Sequence, residues 1–209
     1  MAYSDFTSLN KLKKQFNLSI HEDIDLFSSV SEVKCSDFLA MTLKENIPLA
    51  LAIDSEKARS EMIVAPILIE LRKHFQHKIS LFSGTSFNVD SEKGLKGTCD
   101  FLISLSPEQL SIIAPVITVV EAKNDNVKSG LAQCIAEMVA AQLFNTAEKR
   151  GIDIIYGAVT TGSNWKFLKL THQQVSIDLN EYYIDNLNKI LGILSEPIAL
   201  CLKNTDADE

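Results

Sequence analysis

The amino-acid sequence predicts an α/β fold in which helices flank a mixed sheet. Two segments, residues 55–75 and 130–149, carry apolar side chains at helical spacing and predict long helices. Residues 116–123 are dense in β-branched side chains and predict a buried strand. Another apolar strand is predicted over residues 152–160. The helix between these two strands is long enough for a right-handed parallel crossover.

The size and composition of the chain fit one domain with short additions. It has 209 residues, of which 46% are hydrophobic, and can therefore bury a core. Charged residues interrupt every long apolar stretch, so no membrane span is predicted. Residues 1–14 have no apolar run after a basic segment and predict no secretory signal. The four cysteines form no Cys-x-x-Cys pair, which predicts reduced thiols and a cytoplasmic protein.

Residues 1–50 predict a helical amino-terminal accessory segment, not a separate domain. Leu9, Leu12 and Phe16 recur at helical spacing, and Ile47-Pro48 is expected to end the segment. Residues 51–200 are expected to form the main domain, and residues 201–209 an acidic, frayed tail.

The main domain is expected to open with a helix at Ser55, a residue type suited to the N-cap. Pro66 is expected either to kink that helix or to mark the point where the helix restarts. The next three strands, up to residue 123, can form a meander. A hairpin is predicted after the crossover, followed by a last helix. These elements are expected at residues 79–82, 96–104 and 116–123, at 152–160 and 165–170, and at 182–194.

Side chains that carry chemistry lie at one end of the predicted strands. Glu121 and Lys123 are two positions apart on a strand, so both face the same way. Asp100 lies on the preceding strand, which can pair directly with this one. The sequence therefore predicts that Asp100, Glu121 and Lys123 converge on one spot at the strand ends.

This trio is suited to cutting a phosphodiester. Two carboxylates so close repel each other, and their pKa values rise unless a cation lies between them. Oxygen ligands suit Mg²⁺ or Mn²⁺, which also accept phosphate oxygens. A neighbouring lysine can orient or deprotonate a water, or neutralise a developing negative charge. Glu-x-Lys alone is common at strand ends, but the long apolar run before it and the Asp-bearing strand favour a functional site.

The pattern Asp100, then Glu121-Ala122-Lys123, resembles the PD-(D/E)XK nuclease superfamily, which has the restriction-endonuclease-like fold. Three further segments resemble the amino-terminal nuclease domain of type I restriction motor subunits and its stand-alone relatives. They are the helix at 60–68, the helix start at 130–137 and the hairpin at 156–167. The resemblance covers about residues 55–172, and Cys99 stands where the superfamily's name has proline.

The resemblance implies a three-layer α/β/α core with elements in αβββαβ order and a helical extension before it. The implied activity is Mg²⁺-dependent hydrolysis of phosphodiester bonds in DNA, in restriction, defence or repair. Asp100 and Glu121 would bind the metal, with the Ala122 carbonyl as a further ligand. Lys123 would position or activate the attacking water, and Gln133 would orient Lys123 or a phosphate.

The same relatives carry a glutamate on the first core helix that faces the metal site. Glu61 matches it and is expected to bind the metal directly or through water, while Glu56 and Glu70 compete for this role. Glu70 is nine positions after Glu61, about half a turn around the helix, so both cannot face the site. The other interpretation of Glu61 is a surface carboxylate paired with Lys57.

A second class of function stays open, namely a catalytically inactive nuclease-fold module that binds nucleic acid or regulates another protein. The intact Asp, Glu and Lys set favours the nuclease. The net charge of −7 and the lack of a recognisable DNA-reading element favour the inactive module. A third hypothesis is an enzyme that acts on another phosphorylated substrate, and no sequence motif supports it. The chain has no phosphate-cradling Gly-x-x-x-x-Gly-Lys loop and no Gly-x-Ser-x-Gly elbow.

The expected partner is DNA, with RNA left open and no membrane. Double-strand cutting by a single-site enzyme needs two copies, which leaves a homodimer open. His74 and His77 are three apart but lack a third ligand nearby, and a surface role is favoured over a metal site. Trp165 could stack on a base, but packing against the sheet is favoured.

Overall fold

The computed structural model describes residues 1–205 of the chain. It has eight strands, which are β1 (Ser19–Ile24), β2 (Ser80–Ser86), β3 (Thr98–Ser104), β4 (Val116–Ala122), β5 (Ile154–Thr160), β6 (Asn164–Thr171), β7 (Gln174–Asp178) and β8 (Tyr182–Tyr183). The helices are α1 (Leu9–Phe16), α2 (Asp37–Ile53), α3 (Glu56–Arg59), α4 (Ala65–His74), α5 (Val127–Ala147) and α6 (Leu187–Thr205). A π-helical segment, Ser60–Val64, joins α3 to α4, and 3₁₀ turns lie at Tyr3–Asp5 and Ile184–Asn186.

All eight strands belong to one mixed sheet, so the predicted α/β class is confirmed. The strand order is β1-β7-β6-β5-β4-β3-β2, and β8 pairs with β6. The predicted meander is present, because β2, β3 and β4 pair in sequence as antiparallel neighbours. The predicted crossover is present as well, since β4 and β5 are parallel neighbours joined by α5.

Helices cover both faces of the sheet, and each face has its own hydrophobic cluster. On one face α5 packs over β4 and β5, and α1 packs beside it. On the other face α4 and α6 pack against the sheet, and α2 packs on α4. Strand β4 is buried along its whole length because side chains are packed on both of its faces.

The amino-terminal segment differs from the helical prediction. Residues 19–24 form β1, which pairs in parallel with β7 at the edge of the sheet. Ile47-Pro48 does not end the segment, because Pro48 lies inside α2, which continues to Ile53 and so crosses the expected boundary at residue 50. Buried side chains on both sides of the proline, Leu43 and Ala50, hold the helix against the domain.

The helix predicted over residues 55–75 is present, with a local change of geometry before its proline. Ser55 is the N-cap, and its Oγ accepts a hydrogen bond of 3.2 Å from the Ala58 amide. The π-helical segment Ser60–Val64 precedes Pro66, which lies in the first turn of α4. The helix runs on through this segment, because the Ala65 amide donates to the Ser60 carbonyl. The change to π-helical spacing lies directly before the proline, which lacks the N–H that an uninterrupted α-helix would use.

The carboxyl-terminal part contains more structure than the sequence predicted. Residues 174–178 form β7, and the helix expected from residue 182 begins at Leu187 and runs to Thr205. Part of the expected tail is therefore helical, and residues 206–209 lie outside the described residues. In the part of the chain that the structure describes, no helix combines the length and apolar character needed to span a bilayer.

Candidate active site

Strands β3 and β4 place two carboxylates side by side. Phe101 pairs with Val120 in the antiparallel register, so the preceding Asp100 lies beside Glu121. The Asp100 carboxylate is fixed by the neighbouring strand, because its Oδ2 accepts a hydrogen bond of 2.8 Å from the Ala122 amide. The strand pairing therefore orients Asp100 toward the end of β4.

Lys123 directly follows the last residue of β4, and its side chain points back to the carboxylate of Glu121. Its backbone amide donates to the Thr160 carbonyl at 2.8 Å, which ties it to the end of β5. Its Nζ donates to Oε1 of Glu121 at 2.5 Å and to Oε1 of Gln133 at 3.3 Å. The structure thus brings together all four residues to which the resemblance gives catalytic roles.

Burial and mutual repulsion set the protonation of these groups. Burial, followed by the negative charge of Asp100, raises the pKa of Glu121 to about 8 against the opposing effect of Lys123. Burial also raises the pKa of Asp100, although the Ala122 amide and Lys123 oppose it. Burial alone would lower the pKa of Lys123, but the charge and hydrogen bond of Glu121 outweigh it and raise that pKa. Lys123 is therefore a cation at neutral pH.

A cleft of about 230 Å³ gives solvent access to one side of this cluster. It is lined by Glu56, Lys57, Ser60, Glu61, Ser83, Gly84, Asp100 and Ala122. Asp100 lies on its wall, whereas Glu121 is only 1% exposed and lies deeper. Of these two carboxylates, Asp100 is therefore the one that a molecule in the cleft can contact directly.

The three competing helix glutamates are separated by the structure. Glu61 lies on the cleft wall, but its carboxylate is ion-paired with Lys57 at 2.7 Å and is 59% exposed. Glu56 lines the same cleft, and its charge contributes to the pKa shifts of both Glu121 and Lys123. Glu70 is directed elsewhere, where its Oε1 accepts a hydrogen bond from the Ser36 amide at 2.9 Å. Glu56 is therefore the helix carboxylate best placed to act with Glu121.

Glu137 is a site residue that sequence reasoning missed. It lies on α5 with none of its surface exposed, and its Oε1 accepts a hydrogen bond of 3.3 Å from Nε2 of Gln133. Burial, followed by the charge of Glu121, raises its pKa well above the ordinary value. A signal was present in the sequence, since Glu137 is the one charged residue between positions 129 and 147 and follows Gln133 by one helical turn.

Gly130 makes room for the lysine. A Cβ at this position would lie 2.6 Å from Cγ1 of Val159 and 3.1 Å from Cγ of Lys123. The Lys123 side chain therefore packs directly over the first turns of α5, which a larger residue would prevent. This close approach explains the presence of a poor helix former inside α5.

The residues present fit a hard divalent cation. Asp100 and Glu121 supply carboxylate oxygens, and within residues 1–205 Oε2 of Glu121 has no hydrogen-bond partner. A buried carboxylate oxygen without a partner is costly, and a cation would offset that cost. No three His, Cys, Asp or Glu side chains of the described chain already form a metal-binding group. In this structure Lys123 contacts the carboxylate that a metal would share.

The histidine pair His74 and His77, and Trp165, have other contacts than the cluster of Asp100, Glu121 and Lys123. Nδ1 of His77 contacts Nη1 of Arg72 at 2.5 Å, and the ring of His74 packs edge-on against Phe75. Trp165 has no exposed surface and donates from Nε1 to the Gly162 carbonyl at 3.1 Å. The favoured interpretation of Trp165, packing against the sheet, is confirmed.

No protein-family model, no curated protein and no solved structure matches this chain.

Proposed function

We propose that the chain is a Mg²⁺-dependent nuclease that hydrolyses phosphodiester bonds in DNA, on a restriction-endonuclease-like fold. The observation that carries the proposal is the convergence of Asp100, Glu121 and Lys123 where β3 and β4 end, beside an open cleft. Two carboxylates with raised pKa values next to a lysine ammonium are arranged for phosphoryl chemistry more than for stability.

Asp100 and Glu121 would hold the cation, with Glu56 and the Ala122 carbonyl as further oxygen donors near the cleft. When bound, Mg²⁺ would stabilise negative charge on the phosphate and make a water easier to deprotonate. Burial and the charge of Asp100 raise the pKa of Glu121, so its carboxyl group holds a proton more readily than an ordinary glutamate. Cation binding is therefore expected to compete with protonation of Glu121.

Lys123 acts as a charged donor in this mechanism and not as a base, because its pKa is raised. Its ammonium hydrogens can orient the attacking water and neutralise charge that develops on the phosphate oxygens. The water oxygen forms a bond to phosphorus as the bond to the leaving oxygen breaks. The water gives up one proton to bulk solvent, and the leaving oxygen takes up one proton from solvent, so that no net proton is held by the protein.

The net charge of −7 favours the second candidate, a nuclease-fold module that does not cut. Non-specific DNA binding depends on Lys and Arg that neutralise phosphates, and the cleft wall contributes a single lysine, Lys57, beside three carboxylates. An active enzyme with this surface would depend on the cation for much of its attraction to DNA.

Purified protein incubated with single- and double-stranded DNA tests the proposal, in Mg²⁺, in Mn²⁺ and in EDTA. We expect cleavage that requires the metal and that falls by about 10²–10³-fold in Lys123→Met. Lys128→Met is the matched control, because Lys128 is an exposed lysine on α5. Absence of cleavage of any DNA by the wild-type protein with metal would contradict the proposal, and DNA binding without cleavage would support the inactive module.

A further inference from the structure

Gln133 and Glu137 form a hydrogen-bonded chain that ends at Lys123. The two residues are four positions apart on α5 and therefore lie on the same face of that helix. Nζ of Lys123 donates to Oε1 of Gln133 at 3.3 Å, and Nε2 of Gln133 donates to Oε1 of Glu137 at 3.3 Å. The amide of Gln133 is thus held at both ends.

This arrangement allows one orientation of the amide. The ammonium of Lys123 has only donors, so the group that faces it must be the amide oxygen. The amide nitrogen then faces Glu137, whose carboxyl oxygen is an acceptor. An apolar residue at position 137 would leave the amide nitrogen without this acceptor, so that the Gln133 amide would be held only by its hydrogen bond from Lys123.

Packing does not explain a glutamate at position 137. The side chain is completely buried in an apolar helix, and its Oε2 lacks a hydrogen-bond partner anywhere in the described residues 1–205. The amide of Gln133 at 3.3 Å stabilises the charged form of Glu137, whereas the neighbouring Glu121 opposes that form through its charge and a shared hydrogen bond. A carboxyl group buried in this way destabilises a folded core relative to an apolar residue of similar volume. The described structure contains no cation bound to Glu137 that would offset this cost.

We propose that Glu137 is a positioning residue that fixes the amide of Gln133 and, through it, the ammonium group of Lys123. The role rests on the proposed nuclease function as far as the chemistry of Lys123 is concerned. The orientation of Gln133 is a property of the protein alone and is measurable without any substrate. Glu137 is therefore part of the candidate site without touching the cleft.

Two substitutions separate positioning from packing. Glu137→Gln keeps an acceptor oxygen next to Gln133, whereas Glu137→Met keeps the volume and removes the acceptor. We expect kcat for DNA cleavage to fall by about 10–100-fold in Glu137→Met with KM unchanged, and Glu137→Gln to retain most of kcat. If Glu137→Met does not fold, Glu137→Asp replaces it, because the shorter side chain withdraws the acceptor.

The side-chain amide of Gln133 gives a readout that does not depend on activity. By NMR, we expect slow hydrogen exchange at Nε2 in the wild-type protein and in Glu137→Gln, and fast exchange in Glu137→Met. Unchanged exchange in Glu137→Met, or equal loss of kcat in the Gln and Met variants, would overturn the positioning role. Protected exchange that follows this pattern in a protein that cuts no DNA would support the positioning role and contradict the nuclease.

Discussion

The ammonium group of Lys123 donates a hydrogen bond of 2.5 Å to Oε1 of Glu121, two residues earlier in the chain. The Glu121 side chain is 1% exposed and that of Lys123 is 19% exposed, so little water competes with the contact. Burial nevertheless raises the pKa of Glu121 to about 8, because the repulsion from Asp100 adds to the loss of hydration. The lysine compensates only part of the cost of placing two carboxylates together.

We therefore expect the metal-free protein to lose stability as the pH rises. The unfolded chain releases the Glu121 proton near its ordinary pKa of 4.5, whereas the folded protein keeps it up to a pKa of about 8. The folded state binds more protons between these values, so its stability falls through that interval. Urea unfolding between about pH 5 and about pH 8.5 measures the effect. Glu121→Gln should flatten the pH dependence, and Mg²⁺ should restore stability at the higher pH.

The different surroundings of Glu56 and Glu61 lead to a prediction about the affinity for Mg²⁺. Glu56→Gln should raise the Kd for Mg²⁺ by about tenfold, because its charge acts on Glu121 and Lys123. Glu61→Gln is the matched control on the same cleft wall, and should have little effect because Glu61 pairs with Lys57. Calorimetric titration of Mg²⁺ compares the two variants. A larger effect from Glu61→Gln would return the metal-ligand role to the residue that the resemblance indicated.

The substitution Gly130→Ala should displace the Lys123 side chain, which packs against the α5 backbone at this glycine. The new Cβ would lie 2.6 Å from Cγ1 of Val159 and 3.2 Å from Cε of Lys123. We expect a destabilisation of about 1–3 kcal/mol and a loss of cleavage that persists well below the melting temperature. Gly151→Ala serves as the control, since apart from its chain neighbours no atom of the described residues lies within 4 Å of its added Cβ. Full activity in folded Gly130→Ala would show that Lys123 does not need this space.

Asn145 should be essential for stability and dispensable for chemistry. Its Oδ1 accepts from the Val116 amide at 2.8 Å and its Nδ2 donates to the Val116 carbonyl at 2.7 Å. Asn145→Ala leaves both buried backbone groups at the start of β4 without partners, at a cost of about 2–4 kcal/mol. Thr146→Ala, at an exposed position, should change stability by less than about 0.5 kcal/mol. Thermal and urea unfolding compare the two variants.

The central part of the fold is readable from the sequence because local patterns determine it. Strands β4 and β5 are apolar runs, and the helix α5 between them is long enough for a parallel crossover. Strand β1 could not be predicted in this way, because five of its six residues are exposed. Its position depends on pairing with β7, which lies more than 150 residues later in the chain. The prediction that the helical segment ends at Ile47-Pro48 was wrong, because the tertiary packing of α2 overrides the tendency of proline to break a helix.

Some residues of the candidate site could likewise be predicted from the sequence, and others could not. Asp100, Glu121 and Lys123 could be grouped from strand alternation and pairing alone, because both rules are local or follow from adjacent strands. The choice between Glu56 and Glu61 could not, since the π-helical segment that begins at Ser60 changes the rotation of the helix between them. Glu137 stands out in the sequence as the one charge in an apolar helix, but its link to Lys123 depends on the distance from α5 to the end of β4, which no sequence pattern encodes.

Trp165 is the only tryptophan of the chain, and its burial beside the β5–β6 turn has a practical consequence. The turn adjoins Thr160, whose carbonyl accepts the backbone hydrogen bond of Lys123. The tryptophan fluorescence of the protein therefore comes from one indole that is shielded from water, on the residue that pairs with Thr160. The molecule carries its own optical probe, and its emission can report both unfolding and ligand entry without a label.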